Sequence, residues 1–204
     1  MPAYDVHNIQ QLHDLQRKVA IGDEQAFTEI YQHFAKRLLH FAKAIVRIKE
    51  SSEEIVEDVF VKLWRNREHI NDIENLTVYL YVSVKNAALN LLAQKARELT
   101  VTPFEGLDIE VDALTSNPYE ILVTEEMLQR MRDAIDSLPP RCKMIFKLVR
   151  EDGLKYKEIA GILNISVNTI DAQMAIAVKR ICTALGVSKP IRGTQFPIRI
   201  SSGK

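Results

Sequence analysis

Apolar residues recur at every third or fourth position along most of the chain, which is typical of helices with one buried face. In the N-terminal half this spacing predicts helices over residues 9–20, 26–48, 51–67 and 76–97. Asp23 is expected to be the N-cap of the second of these helices, and Ser51 and Ser52 are expected to start the third. In the C-terminal half it predicts helices over residues 127–135 and 141–151, and a further pair within residues 154–185. The pattern therefore predicts an all-α fold with two helical domains.

The stretch 154–185 predicts two helices joined by a short turn. The first apolar stripe comprises Tyr156, Ile159, Ala160 and Leu163, and the second comprises Ile170, Met174, Ala177, Val178, Ile181 and Leu185. Between them, Ser166 suits the N-cap of the second helix, and Gly186 suits its C-terminal end. Such a pair is typical of a helix-turn-helix, whose second helix enters the DNA major groove. An ordinary helical hairpin is the alternative.

Charge is unevenly distributed, although the 27 basic and 27 acidic residues of the 204-residue chain cancel. Residues 98–126 carry eight acidic side chains and no basic one, whereas residues 141–204 carry 12 basic and four acidic side chains. The acidic stretch also contains Pro and Gly, and its apolar periodicity is weak, so it is expected to be a flexible linker. A basic C-terminal module favours DNA binding there. Chance clustering is the alternative.

No catalytic, metal-binding or cofactor-binding constellation is recognisable in the sequence. Cys142 and Cys182 each lie in an apolar helical pattern, so both are expected to be small core residues and neither a disulfide nor a metal ligand. No secretory signal is apparent, and no apolar run is expected to reach the roughly 18 residues of a membrane span. A cytoplasmic protein with no membrane insertion and no small-molecule substrate is therefore expected.

The helix 76–97 offers features suited to single-stranded DNA. It follows residues 69–75, which are expected to form a polar loop, and it begins with Tyr79 and Tyr81. Its later part carries Lys85, Asn86 and Asn90 and no acidic residue before position 98. Bases stack on aromatic rings and phosphates pair with cations, so single-stranded DNA could bind here. Tyrosines with a purely structural role are the alternative.

Four fragments in this order resemble the small extracytoplasmic-function group (group 4) of sigma-70-family RNA polymerase sigma factors, most closely the branch from Bacteroidetes. DEQAFTEIYQHFAKRLLHFA is similar to the opening of the family's first domain, and SSEEIVEDVFVKLWRNR to its polymerase-binding helix. NLTVYLYVSVKNAALNLLAQKAR resembles the promoter-melting helix, and LPPRCKMIFKLVREDGLKYKEIAGILNISVNTI the −35-reading domain. The order of the fragments carries more weight than any one of them.

The resemblance implies a division of the chain and a set of partners. Residues 1–98 would bind polymerase and recognise and melt the −10 element, residues 99–124 would form the linker, residues 125–187 would read the −35 element, and residues 188–204 would be a basic tail. The implied partners are core RNA polymerase, promoter DNA and a membrane-bound anti-sigma factor. A two-domain helix-turn-helix regulator is the alternative, and the missing catalytic constellation disfavours an enzyme.

The resemblance also implies the residues that make these contacts. Polymerase binding would fall to Glu54, Glu57, Asp58, Phe60, Lys62 and Trp64. The −10 DNA would be read by Asn71, Asp72, Asn75, Tyr79, Tyr81, Lys85, Asn86 and Asn90. The −35 DNA would be read by Ser166, Asn168, Thr169, Ala172, Gln173, Lys179 and Arg180, with phosphate contacts from helix 141–150. Relatives often carry basic residues where this chain has Asp171, Gln173 and Ile176, so this chain departs from the family's pattern at those three positions.

Overall fold

The computed structural model describes residues 6–98 and 125–186, and their side chains over residues 10–97 and 129–186. The predicted linker and basic tail lie outside the described residues. The chain divides into two compact units, one on each side of residue 105. Every regular element within the described residues is a helix, which confirms the predicted all-α fold with two helical units.

The N-terminal unit consists of four α-helices and one 3-10 helix. They are α1 (Val6–Ala20), α2 (Glu24–Val46), α3 (Lys49–Arg65), the 3-10 helix Arg67–Asp72, and α4 (Leu76–Glu98). Helices α3 and α4 both pack against α2 and against each other, and α1 packs against α2 and the 3-10 helix. Their shared core includes Ile30, Phe34, Leu38, Leu63, Leu80 and Val84, all at most 2% exposed.

The ends of α2 and α3 show how local sequence sets these helices. Asp23 caps α2 as predicted, because its carboxylate accepts hydrogen bonds from the amides of Gln25 and Ala26 at 2.9 and 3.0 Å. The prediction that Ser51 and Ser52 start the next helix is wrong, since α3 already begins at Lys49. Ser52 is buried inside the helix, and its hydroxyl donates to the carbonyl of Ile48 at 2.7 Å.

Helix α4 qualifies as a possible membrane span by length and composition, so the expectation that no apolar run approaches that length is wrong. Its mean hydropathy over 18 residues is 1.2, with 28% of that window buried. The core of the unit accounts for the apolar character of its first half, where Leu76, Leu80, Tyr81 and Val84 are at most 1% exposed. The helix packs on α2 and α3.

The C-terminal unit is built around its last helix. Its elements are α5 (Glu125–Asp136), α6 (Pro140–Arg150), α7 (Tyr156–Leu163) and α8 (Val167–Leu185), and the first three all pack against α8. The buried side chains include Ile145, Leu148, Ile159, Ile162, Ile170 and Ala177. Cys142 and Cys182 are both buried free thiols, which confirms the prediction that they are core residues.

Helices α7 and α8 form the predicted helix-turn-helix. The chain bends by 109° at the turn between them, within the range usual for the motif. Asn164 takes the left-handed conformation with φ 53°, and Ser166 caps α8 by accepting from the amide of Thr169 at 3.0 Å. Gly186 ends α8 with φ 66°, as predicted. One detail of the predicted stripe is wrong, because Ile162 is fully buried whereas Leu163 is only half-buried.

Candidate nucleic-acid interface

The outward face of α3 carries the predicted acidic cluster. Glu54, Glu57, Asp58 and Lys62 are all exposed. Val61, which was not predicted to be a contact residue, lies among them with 46% of its surface exposed. Val61 comes between Phe60 and Leu63 in the sequence, but the helical spacing turns it away from the buried face on which those two residues lie. An apolar side chain ringed by charges is suited to docking on a protein partner.

Phe60 is the first correction to the predicted contact residues. It is 3% exposed and packs edge-on against Phe27 and Tyr31, with ring centroids 6.1 and 4.8 Å apart. Its position in the buried stripe of α3 turns it toward α2, so it cannot touch a docked partner directly. Trp64 is half-buried beside Phe27, at 4.9 Å between ring centroids, and the Arg67 guanidinium lies over its indole.

The segment predicted as a polar loop is largely a 3-10 helix, Arg67–Asp72. The prediction missed its anchor, Ile70, which is 1% exposed. Asn71 and Asp72 project into solvent directly after it. Asn75 is exposed too, but its side chain accepts from the amide of Val78 at 3.0 Å and so helps to start α4.

A buried side chain of α1, which was not predicted from the sequence, holds this segment in place. Gln16 is 2% exposed, and its Nε2 donates to the carbonyls of Ile70 at 2.9 Å and Ile73 at 3.1 Å. In the sequence, Gln16 falls on the same face as Leu12 and Val19, so a polar residue in an apolar stripe was the available signal.

Only one of the two predicted stacking tyrosines is accessible, which is the second correction. Tyr79 is 39% exposed, whereas Tyr81 is fully buried with its ring 5.1 Å from that of Phe41. The two residues are two positions apart on a helix, so they point to different sides. Asn86 and Asn90 are exposed on α4, and Lys85 is half-buried.

Helix α8 presents one face away from the core of its unit. Asn168, Asp171, Ala172, Ile176 and Lys179 are exposed along it, and Ile176 shows 40% of its surface. Thr169 and Gln173 are half-buried at the edge of this face. The predicted −35 residues therefore share an accessible strip, although Ser166 and Thr169 also bond to each other, with hydroxyl oxygens 2.8 Å apart.

Several of the basic residues expected to contact phosphate are held within the protein. Lys143 is 2% exposed, and its ammonium pairs with the carboxylate of Asp136 at 2.9 Å. The prediction that it contacts phosphate is therefore corrected, because this ion pair links α6 to α5. Lys147 pairs with Glu151 at 3.7 Å. Arg180 is exposed, yet its guanidinium donates to the carbonyl of Ser137 at 3.2 Å. Lys179 and Arg141 are exposed cations of the same unit.

Burial raises two pKa values around α8. The pKa of the Cys142 thiol lies above its ordinary value because of burial, against the smaller opposing effects of Arg180 and a backbone hydrogen bond at Ala177. The pKa of the Tyr156 phenol is raised by burial and by the nearby charge of Asp171, with Arg150 opposing. Both groups are neutral at pH 7 and give the helix-turn-helix no additional charge.

Residues 6–98 and 125–186 contain no group of three or more His, Cys, Asp or Glu side chains arranged to hold a metal ion. What these residues do present is an acidic helical face, an exposed polar turn and a helix-turn-helix strip. Together these features define an all-α protein with a DNA-binding module and a second helical unit.

Comparison with known proteins gives the family. The model described as "Sigma-70 region 2" matches residues 30–98, and "Sigma-70, region 4" matches residues 128–188. Together the two matches cover well over half of the 204 residues.

The ECF RNA polymerase sigma-E factor of Escherichia coli is 27% identical over 168 residues, or 78% of this chain and 86% of the relative. The ECF RNA polymerase sigma factor SigK of Mycolicibacterium vanbaalenii is 24% identical over 179 residues, 87% of this chain and 91% of the relative.

Two solved structures share the fold. CnrH in complex with the cytosolic domain of CnrY has a TM-score of 0.51 at 16% identity, covering 86% of this chain and 97% of that chain. The sigma factor RpoE of Bartonella quintana in complex with the anti-sigma factor NepR also has a TM-score of 0.51, at 19% identity, covering 79% and 98%. The chain belongs to the sigma-70 family, as a sigma factor of the extracytoplasmic-function (ECF) group.

Proposed function

We propose that this sigma factor binds core RNA polymerase through the outward face of α3 and directs it to promoters whose −10 and −35 elements are read by the two units in turn. The division follows the sequence: residues 1–98 bind polymerase and melt the −10 element, residues 99–124 link the units, and residues 125–187 hold the −35 duplex. The protein acts in the cytoplasm, where polymerase is found, and no catalytic residue is assigned to it.

The observation that carries this proposal is the exposed strip of α8. Its opposite side, with Ile170, Met174 and Ala177, is buried against three other helices. The strip is thus held rigidly by the core, which a helix needs if it is to enter a groove in a fixed orientation. Asn168 and Gln173 supply amides that can pair bidentately with adenine, and Ala172 and Ile176 offer apolar contact to thymine methyl groups.

Within the N-terminal unit, the proposal assigns separate tasks to two surfaces. Glu54, Glu57, Asp58 and Lys62 dock on the polymerase around Val61, and Trp64 supports that face from the edge. Asn71, Asp72 and Tyr79 receive the melted strand, because they are the accessible members of the predicted set. Lys85, Asn86 and Asn90 extend this surface along α4 toward the phosphates, while Asn75 shapes its start.

An anti-sigma factor is proposed as the regulator. One structural neighbour was solved with the cytosolic domain of CnrY bound. The other was solved with the anti-sigma factor NepR bound. The resemblance of the sequence to the Bacteroidetes branch supports the further proposal that the partner is anchored in a membrane. Such a partner would cover the surfaces that polymerase and DNA require.

Co-purification with core polymerase tests the function. The tagged chain, mixed with purified core enzyme, is expected to elute with it on size exclusion and to start transcription from its promoter. The same chain without core is expected to bind promoter duplex weakly. Tight independent binding to an inverted repeat, with no complex with core, would instead identify a helix-turn-helix regulator.

A further inference from the structure

Helix α1 lies upstream of the segment that matches sigma-70 region 2, which begins at residue 30. It nevertheless packs against the 3-10 helix that carries Asn71 and Asp72. A 3-10 helix has poorer hydrogen-bond geometry than an α-helix and depends more on its surroundings. The conformation of this short segment is therefore set largely by what packs beneath it.

Gln16 is the polar part of that packing. Its amide group is 2% exposed and donates both of its hydrogens, to the carbonyls of Ile70 at 2.9 Å and Ile73 at 3.1 Å. These two carbonyls stand on either side of the exposed pair Asn71 and Asp72. One side chain thus spans the two ends of the turn that is proposed to receive a base.

A residue that served only to fill space at this position could be apolar, like its neighbour Val19, which is 0% exposed. Burying an amide is unfavourable unless its hydrogen bonds are satisfied, and those bonds then favour one backbone arrangement over others. Gln16 satisfies its donors only when residues 70 and 73 lie at their observed spacing. Ile70 contributes apolar burial to the same anchor, but burial alone does not fix the directions of two carbonyls.

We propose that Gln16 is a positioning residue for promoter reading: it fixes the turn at Asn71 and Asp72 so that these side chains meet the −10 base. The inference rests on the proposed function and adds α1 to the recognition machinery. Replacing Gln16 is therefore expected to reduce discrimination among −10 sequences and to leave the affinity of α3 for polymerase unchanged.

The test replaces Gln16 with Met, which keeps the length of the side chain and removes both donors. Holoenzyme is assembled with core polymerase, and open-complex formation is measured on promoters that carry each base at each −10 position. Discrimination at the base read by the turn is expected to fall by about tenfold, the equivalent of one good base contact, while core affinity stays within about twofold of the wild type. Gln11→Met, an exposed position on the same helix, is expected to change neither quantity.

Two outcomes would overturn the inference. One is unchanged discrimination in the Gln16→Met holoenzyme. The other is an equal loss on every promoter together with lost core affinity, which would indicate a purely structural role. Should the Met variant be too unstable to assay, Gln16→Asn gives the same readout, because its amide is one methylene too short to reach both carbonyls.

A double-mutant cycle tests whether Gln16 acts through the turn. Combined with replacement of Asn71 and Asp72 by Ala, Gln16→Met is expected to cause no further loss of discrimination, and additive losses would contradict the inference. Failure of the proposed function looks different, because then the wild-type holoenzyme itself would not open the promoter. Retained opening by the wild type with unaltered selectivity in the variant rejects only the role of Gln16.

Discussion

Cys142 shows how one buried side chain ties the recognition helix to its support. Its thiol donates to the carbonyl of Gln173 at 3.2 Å, so α6 contacts α8 directly behind the half-buried Gln173. Burial raises the pKa of this thiol above its ordinary value of 9.0. A proton is therefore held more tightly in the folded state than in the unfolded state.

The pH dependence of stability follows from that difference in pKa. Well below pH 9 the thiol is protonated in both states, and its contribution to stability is complete. As the pH rises past the unfolded value toward the folded one, the unfolded state loses its proton first, and stability falls. Urea unfolding of Cys142→Ala is expected to show a smaller decline between pH 8 and about pH 10 than the wild type. Equal declines would show that Cys142 is not the source, and Cys182→Ala serves as the matched control.

At the residue scale, the spacing of apolar residues predicted which apolar side chains are buried, but it did not predict which polar side chains are buried. Gln16 and Lys143 were missed because their partners lie in other elements, at Ile70 and Asp136. Tyr81 was assigned to a DNA-binding surface because aromatic residues suit both stacking and packing, whereas Phe60 was assigned to the polymerase contact by the family resemblance alone. Helical spacing alone does not say which role applies until the neighbouring helix is in place.

At the scale of elements, the caps and turns encoded in adjacent residues were predictable. Asp23, Ser166 and Gly186 each act within three residues of their own position, and all three were confirmed. The start of α3 was not predictable in the same way, because the hydroxyl of Ser52 can either cap a helix or bond back to the carbonyl four residues earlier. The structure has the second arrangement.

Helix α3 is expected to be the polymerase-docking element. Glu57→Lys replaces an exposed acid beside Val61, so it should weaken binding to core polymerase by roughly tenfold without unfolding the unit, as reversal of an interface charge places like charges together. Fluorescence anisotropy with labelled protein measures the affinity, and circular dichroism checks the fold. Glu29→Lys, at an exposed site on α2, should bind as the wild type does. Equal affinities for the two variants would remove α3 from the interface.

Helix α8 is expected to separate base reading from phosphate binding. Gln173→Ala should lower selectivity at one −35 position, because a bidentate amide contact contributes roughly 1–3 kcal/mol of discrimination. Lys179→Ala should weaken binding to all promoters alike and reduce the salt dependence by about one ion. Holoenzyme binding to a set of −35 variants at several salt concentrations measures both. If Gln173→Ala leaves the ranking of the variants unchanged, α8 reads only shape and phosphates.

At the scale of the whole molecule, the order of the units was predictable from four sequence fragments, since each is local. The acidic segment 99–124 stays a prediction, because it falls outside the described residues. What the structure adds is that each unit has a core of its own, with Ile30 fully buried in the first and Ile159 fully buried in the second. This supports the proposal that residues 1–98 and 125–187 are separate domains.

Two matched substitutions test whether those cores are energetically separate. Ile30→Val and Ile159→Val each remove one methylene from a site with 0% exposure, at an expected cost of about 0.5–1.5 kcal/mol. For domains of this size, each kcal/mol lowers the melting temperature by about 4–8 °C. Calorimetry of the full chain should resolve two transitions, and each variant should lower only the one that belongs to its own unit. Ile21→Val, at a position 85% exposed, should move neither. A single transition that both core variants lower equally would show that the two units unfold together and would reject the division into domains.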